Sequence, residues 1–151
     1  MQITSPTQAA SLVRSEDAVL ISGSGGGHSV PEALLAALEA RFLAESQPRD
    51  LTSISVVGVG DRAALGASHL AHEGLLRCAI TSALVDSPGL VTLAAEDKIE
   101  AYTLPQGVLS QLMREMAGGR VSSRRRDCTP SSIRVSKARG RVRVRPPASS
   151  S

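Results

Sequence analysis

Residues 17–43 read DAVLISGSGGGHSVPEALLAALEARFL, and this stretch decides the fold. Asp17–Ser22 is a short apolar run that ends in glycines, the pattern of a buried strand. Gly23–Gly27 follows, where missing side chains permit sharp turning and close approach. Pro31 can open a helix, because its absent N–H has no helical partner to lose. Beyond it Leu34, Leu35, Leu38, Phe42 and Leu43 recur at helical spacing, with Glu39 and Arg41 off that face. The spacing predicts a helix over residues 31–46.

The same strand–loop–helix grammar continues outward. Leu51–Val57 is apolar and β-branched, a second strand that runs into the glycine turn Gly58-Val-Gly-Asp61. A loop through Gly66 leads to His69-Leu-Ala-His72-Glu73-Gly74, and Cys78–Val85 reads as a third strand. A short helix is expected over residues 88–97, a fourth strand over Glu100–Leu104, and a turn at Pro105-Gln106-Gly107. Val108–Ala117 reads as a helix stopped by Gly118-Gly119. Strands alternating with crossovers predict an α/β fold with an open, mainly parallel sheet and flanking helices. Ligands bind such sheets at the carboxyl ends of the strands. The turns at Gly23–Gly27, Gly58–Asp61 and Pro105–Gly107 fall there.

Composition narrows the function. The 151 residues suit one domain, and 42% hydrophobic content suffices for a core. One Phe, one Tyr and no Trp argue against aromatic stacking on single-stranded nucleic acid. Two cysteines are too few for a disulfide-built scaffold or an all-cysteine zinc site, and suit the reducing cytosol. No apolar run is long enough to span a membrane. The N-terminus lacks a basic start followed by an apolar core, so no secretory signal is read and a cytoplasmic location is expected.

The net charge of +3 hides a division. Residues 1–120 carry eight Lys/Arg and thirteen Asp/Glu, a balance of −5; residues 121–151 carry nine Lys/Arg and only Asp127, a balance of +8. The tail has no aromatic residue and few large apolar ones, so it is expected to stay disordered. It could contact phosphates, but without a folded module a non-specific tail is the plainer reading.

Strand, glycine loop and helix together form an anion-binding arrangement, since backbone N–H groups and the helix N-terminus point at the ligand. No Gly-Lys-Ser/Thr follows, which excludes a P-loop, and Val30 stands where a dinucleotide fingerprint needs its third glycine. A plain tight turn stays open beside ligand binding. His69, His72 and Glu73 have no evident third metal ligand, so an ordinary loop or helix start is the simpler account and no metal site is expected. His28 reads as a polar loop residue, and Cys78 as a small core residue. Glu73 could serve as a nucleophile only with a partner group, which is not seen. Gln106 could donate a hydrogen bond into the cleft as an oxyanion stabiliser, or simply be solvated.

Taken together, these segments resemble the family I coenzyme A transferases, and most closely the propionate and acetate CoA-transferases. The resemblance rests on GSGGGHSVPEALLAALEARFL (23–43), PRDLTSISVVGVGD (48–61), HLAHEGL (69–75) and EDKIEAYTLPQGVLSQLMREMAGGR (96–120), and covers about residues 10–120. The last is the most specific. It implies exchange of coenzyme A between an acyl-CoA and a short-chain carboxylic acid through a glutamyl-CoA thioester, with coenzyme A a substrate and no permanent cofactor. It further implies that Gln106 stabilises the oxyanion, that Gly25, Gly26 and Gly27 form the signature loop, and that Gly58, Gly60 and Asp61 form a second cleft loop. The family usually has Gly-Gly-Phe or similar where this chain has Gly25-Gly-Gly27. The family's nucleophilic glutamate lies in a second domain, so residues 1–120 resemble an N-terminal fragment that is inactive alone. A second subunit or domain would supply the glutamate, and the full-length family implies a homo-oligomer. The alternatives from other classes are a sugar-phosphate isomerase-like protein and a non-catalytic α/β module with a nucleic-acid-binding basic tail.

The tail suggests its own origin. Family members continue with text of the type GLVTPAGLHTFVDPR. Back-translation of residues 121–137 from the last base of the Arg120 codon can give Gly-Leu-Val-Thr-Pro-Ala-Gly-Leu-His-Thr-Phe-Val-Asp-Pro-Arg-Leu-Lys. Residues 121–151 are therefore expected to be an out-of-frame read. Coding DNA with no shifted frame that restores family sequence would overturn this.

Overall fold

The computed structural model describes residues 4–24 and 29–118. The glycines at 25–27, His28 and the basic tail lie outside the described residues. Four strands, β1 (Ala18–Leu20), β2 (Leu51–Ile54), β3 (Leu76–Thr81) and β4 (Glu100–Thr103), form one sheet in the order β1-β2-β3-β4. Every neighbouring pair is parallel, with Val19 opposite Ser53, Ser53 opposite Ala79, and Ala79 opposite Ala101. The helices are α1 (Pro6–Ala10), α2 (Glu32–Glu45), α3 (Pro88–Ala95) and α4 (Gln106–Ala117), with 3-10 turns at Ala67–Leu70 and Leu84–Asp86.

The sheet grows in one direction, and right-handed crossovers advancing one way must all lie on one face. The side chains obey this. Leu35 and Leu38 of α2 and Leu90 of α3 share a core with Ile21, Leu51 and Ala79. On the opposite face Leu109 and Leu112 of α4 pack on Ile54, Cys78 and Ile80. The alternation within β3, Cys78 and Ile80 to one face and Ala79 to the other, is the strand period of two. Cys78 is fully buried. The second face is covered only in part: on β1, Leu20 is 54% exposed.

Several boundaries differ from the sequence expectation. The second strand ends at Ile54; Ser55 still donates its N–H to the Ile80 carbonyl at 2.9 Å, and the chain bends at residues 56–57 rather than continuing as strand to Val57. The third strand begins two residues early, at Leu76, and stops at Thr81, where the chain tightens into the Leu84–Asp86 3-10 turn. The last helix begins at Gln106, not Val108, so Gln106 is its first residue rather than part of a free turn. Pro105 makes this possible: its carbonyl accepts from Val108 and Leu109 N–H groups at 2.9 and 3.1 Å. The sequence reading missed the first helix, although Ser5-Pro6-Thr7-Gln8 carries capping-box spacing with proline at the first helical position. α1 is a single turn held by a Ser5–Gln8 capping box. Its carbonyl end is fixed by Arg41, whose Nη1 donates to the carbonyls of Ala10 and Val13, each at 2.8 Å.

Candidate functional site

In a parallel sheet every β-to-α turn lies at one edge, so the turns after β1, β2, β3 and β4 line the same rim. The turn after β1 reaches Gly23, which packs against Val59 of the turn after β2; a Cβ at Gly23 would sit 3.1 Å from Val59 Cγ1. The turn after β4 carries Gln106 three strands away, ~14 Å at ordinary strand spacing. The rim thus holds the Gly23 and Gly58–Asp61 turns together at one end and Gln106 at the other.

The Gly58–Asp61 turn has a structural reason for its composition. A Cβ at Gly58 would meet Asp86 Oδ2 at 2.0 Å, and one at Gly60 would meet the Asp86 carbonyl oxygen at 2.1 Å. The 3-10 turn after β3 presses directly on these glycines, and Arg62 closes over it with its Nε 3.3 Å from Asp86 Oδ1. Asp61 Oδ1 accepts from the N–H groups of Ala63 and Leu65 at 2.9 and 3.0 Å. Those backbone hydrogen bonds, led by Ala63, hold its carboxyl below the usual carboxylate range. Below the turn, Ser55 Oγ donates to Thr81 Oγ1 at 3.0 Å and Thr81 Oγ1 to the Val57 carbonyl at 3.2 Å. The cavity bordered by Ser53, Ser55, Thr81 and Ser87 has a volume of about 20 Å³. That is the scale of one water, too small for an acyl or nucleotide group.

Gln106 is exposed, and its side chain makes no hydrogen bond among the described residues. Gly107 beside it faces open space: a Cβ there would meet nothing within 4 Å. The first N–H groups of α4 have no intrahelical acceptor. This corner of the rim is therefore open, polar and uncommitted.

The sequence reading missed an interaction at the His69 segment. His69 Nε2 lies 2.5 Å from Glu32 Oε1, and His69 Nδ1 lies 2.5 Å from Glu39 Oε2. His72 Nε2 lies 2.5 Å from Glu39 Oε1. Burial works against a charged His69, but the hydrogen bonds to Glu32 and Glu39 outweigh it and raise its pKa. Burial would raise the Glu39 carboxyl, yet His72 and His69 hold it below its ordinary value. Among the described residues no group of three or more His, Cys, Asp or Glu is arranged to hold a metal. Glu73 stands apart, 66% exposed and paired with Lys98 at 3.0 Å.

A sequence profile described as Coenzyme A transferase matches residues 3–131. The chain belongs to the coenzyme A transferase family. The match is wider than the 10–120 span of the sequence resemblance and agrees with it on the family. Acetate CoA-transferase YdiF from Escherichia coli strain K12 and from E. coli O157:H7 are each 38% identical over 115 residues, covering 76% of this chain and 22% of theirs. The chain therefore spans about a fifth of the length of the curated relatives it matches. The crystal structure of the O157:H7 acyl-CoA transferase YdiF as a thioester complex with CoA aligns with a TM-score of 0.74 at 37% identity, over 78% of this chain and 23% of that one. Its apoenzyme aligns with the same TM-score at 38% identity. No helix among the described residues is long and apolar enough to cross a membrane.

Proposed function

We propose that this chain forms the N-terminal part of a CoA-transferase that moves coenzyme A between an acyl-CoA and a short-chain carboxylic acid through a glutamyl-CoA thioester. Coenzyme A is then a substrate, and no permanent cofactor is needed. The observation that carries the reading is the free Gln106 amide at the open end of the rim, in a chain of this family. When a carboxylate attacks a thioester, charge gathers on the carbonyl oxygen. The amide donor at Gln106 stabilises that charge. The Gly58, Gly60 and Asp61 turn borders the coenzyme end of the same rim, and the resemblance assigns Gly25, Gly26 and Gly27 to the signature loop. The contacts of Gly58 and Gly60 with Asp86 set the shape of that second turn.

The attacking glutamate comes from polypeptide outside residues 1–120, a second domain or subunit. Helices run back from the rim in this fold, so Glu45, Glu96 and Glu115, at or just beyond helix carboxyl ends, lie at the far edge of the sheet. Glu16, Glu73 and Glu100 lie just before or at the starts of strands, at that same far edge. Among the described residues Glu32 alone of the glutamates stands at the rim, and it is bonded to His69 and the Gly66 N–H. The 151-residue chain alone is expected to give no exchange of CoA between acetyl-CoA and propionate; turnover by the pure chain would overturn this reading. In the same proposal the basic tail from about residue 121 is an out-of-frame read without selected function, although the family profile runs on to residue 131; the nucleotide sequence through codon 120 decides it.

A further inference from the structure

His69 faces two carboxylates with its two ring nitrogens, Glu32 on one side and Glu39 on the other. A neutral imidazole has one N–H, so one of these contacts would set a lone pair against a carboxylate. Only the imidazolium donates to both. The partners extend the chain of contacts in each direction. Glu39 also accepts from His72, and Glu32 Oε2 accepts from the Gly66 N–H at 2.8 Å. Gly66 is at φ +68, bridges Gly60, and lies so close to Val59 that a Cβ would meet its carbonyl oxygen at 1.9 Å. The Ala67 N–H donates to that same carbonyl at 2.6 Å. A continuous line of polar contacts thus runs from His72 through Glu39, His69 and Glu32 to the Gly66 N–H, with both glutamates on α2, the helix behind the first glycine turn.

We propose that His69 is a proton-dependent latch between α2 and the Gly58–Gly66 loop, a positioning residue that fixes the second rim turn while its ring carries a proton. This goes beyond the transferase reading and holds whatever the rim binds. The charged groups around His69 are few. The elements packed against its 3-10 turn are α2 and α3. Glu32 and Glu39 face it from α2; Arg41 and Glu45 of that helix pair with each other instead. α3, Pro88–Ala95, has no charged side chain. His72 acts through Glu39. Deprotonation removes one of the two donated bonds, leaves a lone pair facing a carboxylate, and releases the hold on Gly66.

The test is histidine-ring NMR together with amide exchange on the isotope-labelled 151-residue chain, from about pH 6 to pH 9. Exchange of Gly66 and Ala67 is corrected for the intrinsic rate. His69 should titrate above the ordinary 6.5 with both nitrogens protonated below its midpoint. Protection of the Gly66 amide should fall about tenfold or more across that midpoint, while Ile80 in the sheet keeps its protection. H69Q should show low Gly66 protection at every pH, with the pH step gone. E39Q should lower the His69 midpoint. If either variant fails to fold, the wild-type titration decides alone. His69 titrating at or below 6.5, Gly66 protection unchanged through the midpoint, or no Gly66 protection at any pH would each overturn the proposal.

Discussion

At the scale of single residues, Gly60 and Gly107 make a contrasting pair. A Cβ at Gly60 runs into the backbone of Asp86, which cannot step aside as a side-chain tip could. Gly60→Ala should cost about 1–3 kcal/mol in denaturant unfolding, the range of an overpacked site. Gly107 stands in the first turn of α4 with open space around it, so Gly107→Ala should be neutral or stabilising by up to ~1 kcal/mol. Equal losses at both positions would refute this account of the two turns. The His69 cluster gives a pH prediction with two signs. The raised His69 pKa contributes stability that is full below 6.5 and lost as pH rises through its folded value. The lowered Glu39 pKa contributes stability that is full above 4.5 and lost as pH falls through its folded value. Thermal unfolding should therefore show the full contribution of this cluster between 4.5 and 6.5, and H69Q should flatten the alkaline side. Glycine turns at 58 and 60 were legible from residue type alone. The His69 cluster was not, because its histidines and glutamates lie 30 to 37 residues apart and only the fold brings them together.

At the scale of elements, the strand and helix order was readable because each crossover carries its own periodicity and punctuation. Leu34, Leu35, Leu38 and Phe42 mark α2 by their spacing alone, and Pro88 marks the start of α3. Boundaries moved where tertiary contacts compete with propensity. The ladder ends one residue after β2: the Ser55 N–H still donates to the Ile80 carbonyl at 2.9 Å, and the chain then bends at residues 56–57, where the Val57 carbonyl accepts from Thr81 Oγ1 instead of from a strand neighbour. α4 is the element on which the second face depends. Leu112 is 1% exposed against Ile54, Cys78 and Ile80, so Leu112→Ala should cost about 2–5 kcal/mol. An unchanged unfolding midpoint would show that α4 is not docked. At the other end of that face, β1 has an unpaired edge among the described residues and shows Leu20 to solvent. Exposed edges and apolar side chains recruit partners, so Leu20→Lys should reduce concentration-dependent association in sedimentation. Association unaltered by L20K would place the contact elsewhere.

At the scale of the whole molecule, four parallel strands put the Gly23 and Gly58–Asp61 turns and Gln106 on one rim, and the proposed function assigns the coenzyme A site to that rim. The rim is open at Gln106 and Gly107, and its described glutamate is already occupied. On the proposed function, such a surface holds an acyl-CoA but does not turn it over. In the proposed function Gln106 donates to charge that exists only in the transition state, so Gln106→Ala should change acetyl-CoA affinity by no more than about threefold. The most direct measurement is an acetyl-CoA titration of the labelled 151-residue chain followed by amide chemical shifts. The account predicts perturbation of Val59–Asp61 and of Gln106–Gly107 in the same titration, with one saturation curve. Perturbation of only one of these turns, or of neither, would contradict a shared coenzyme A site along the rim.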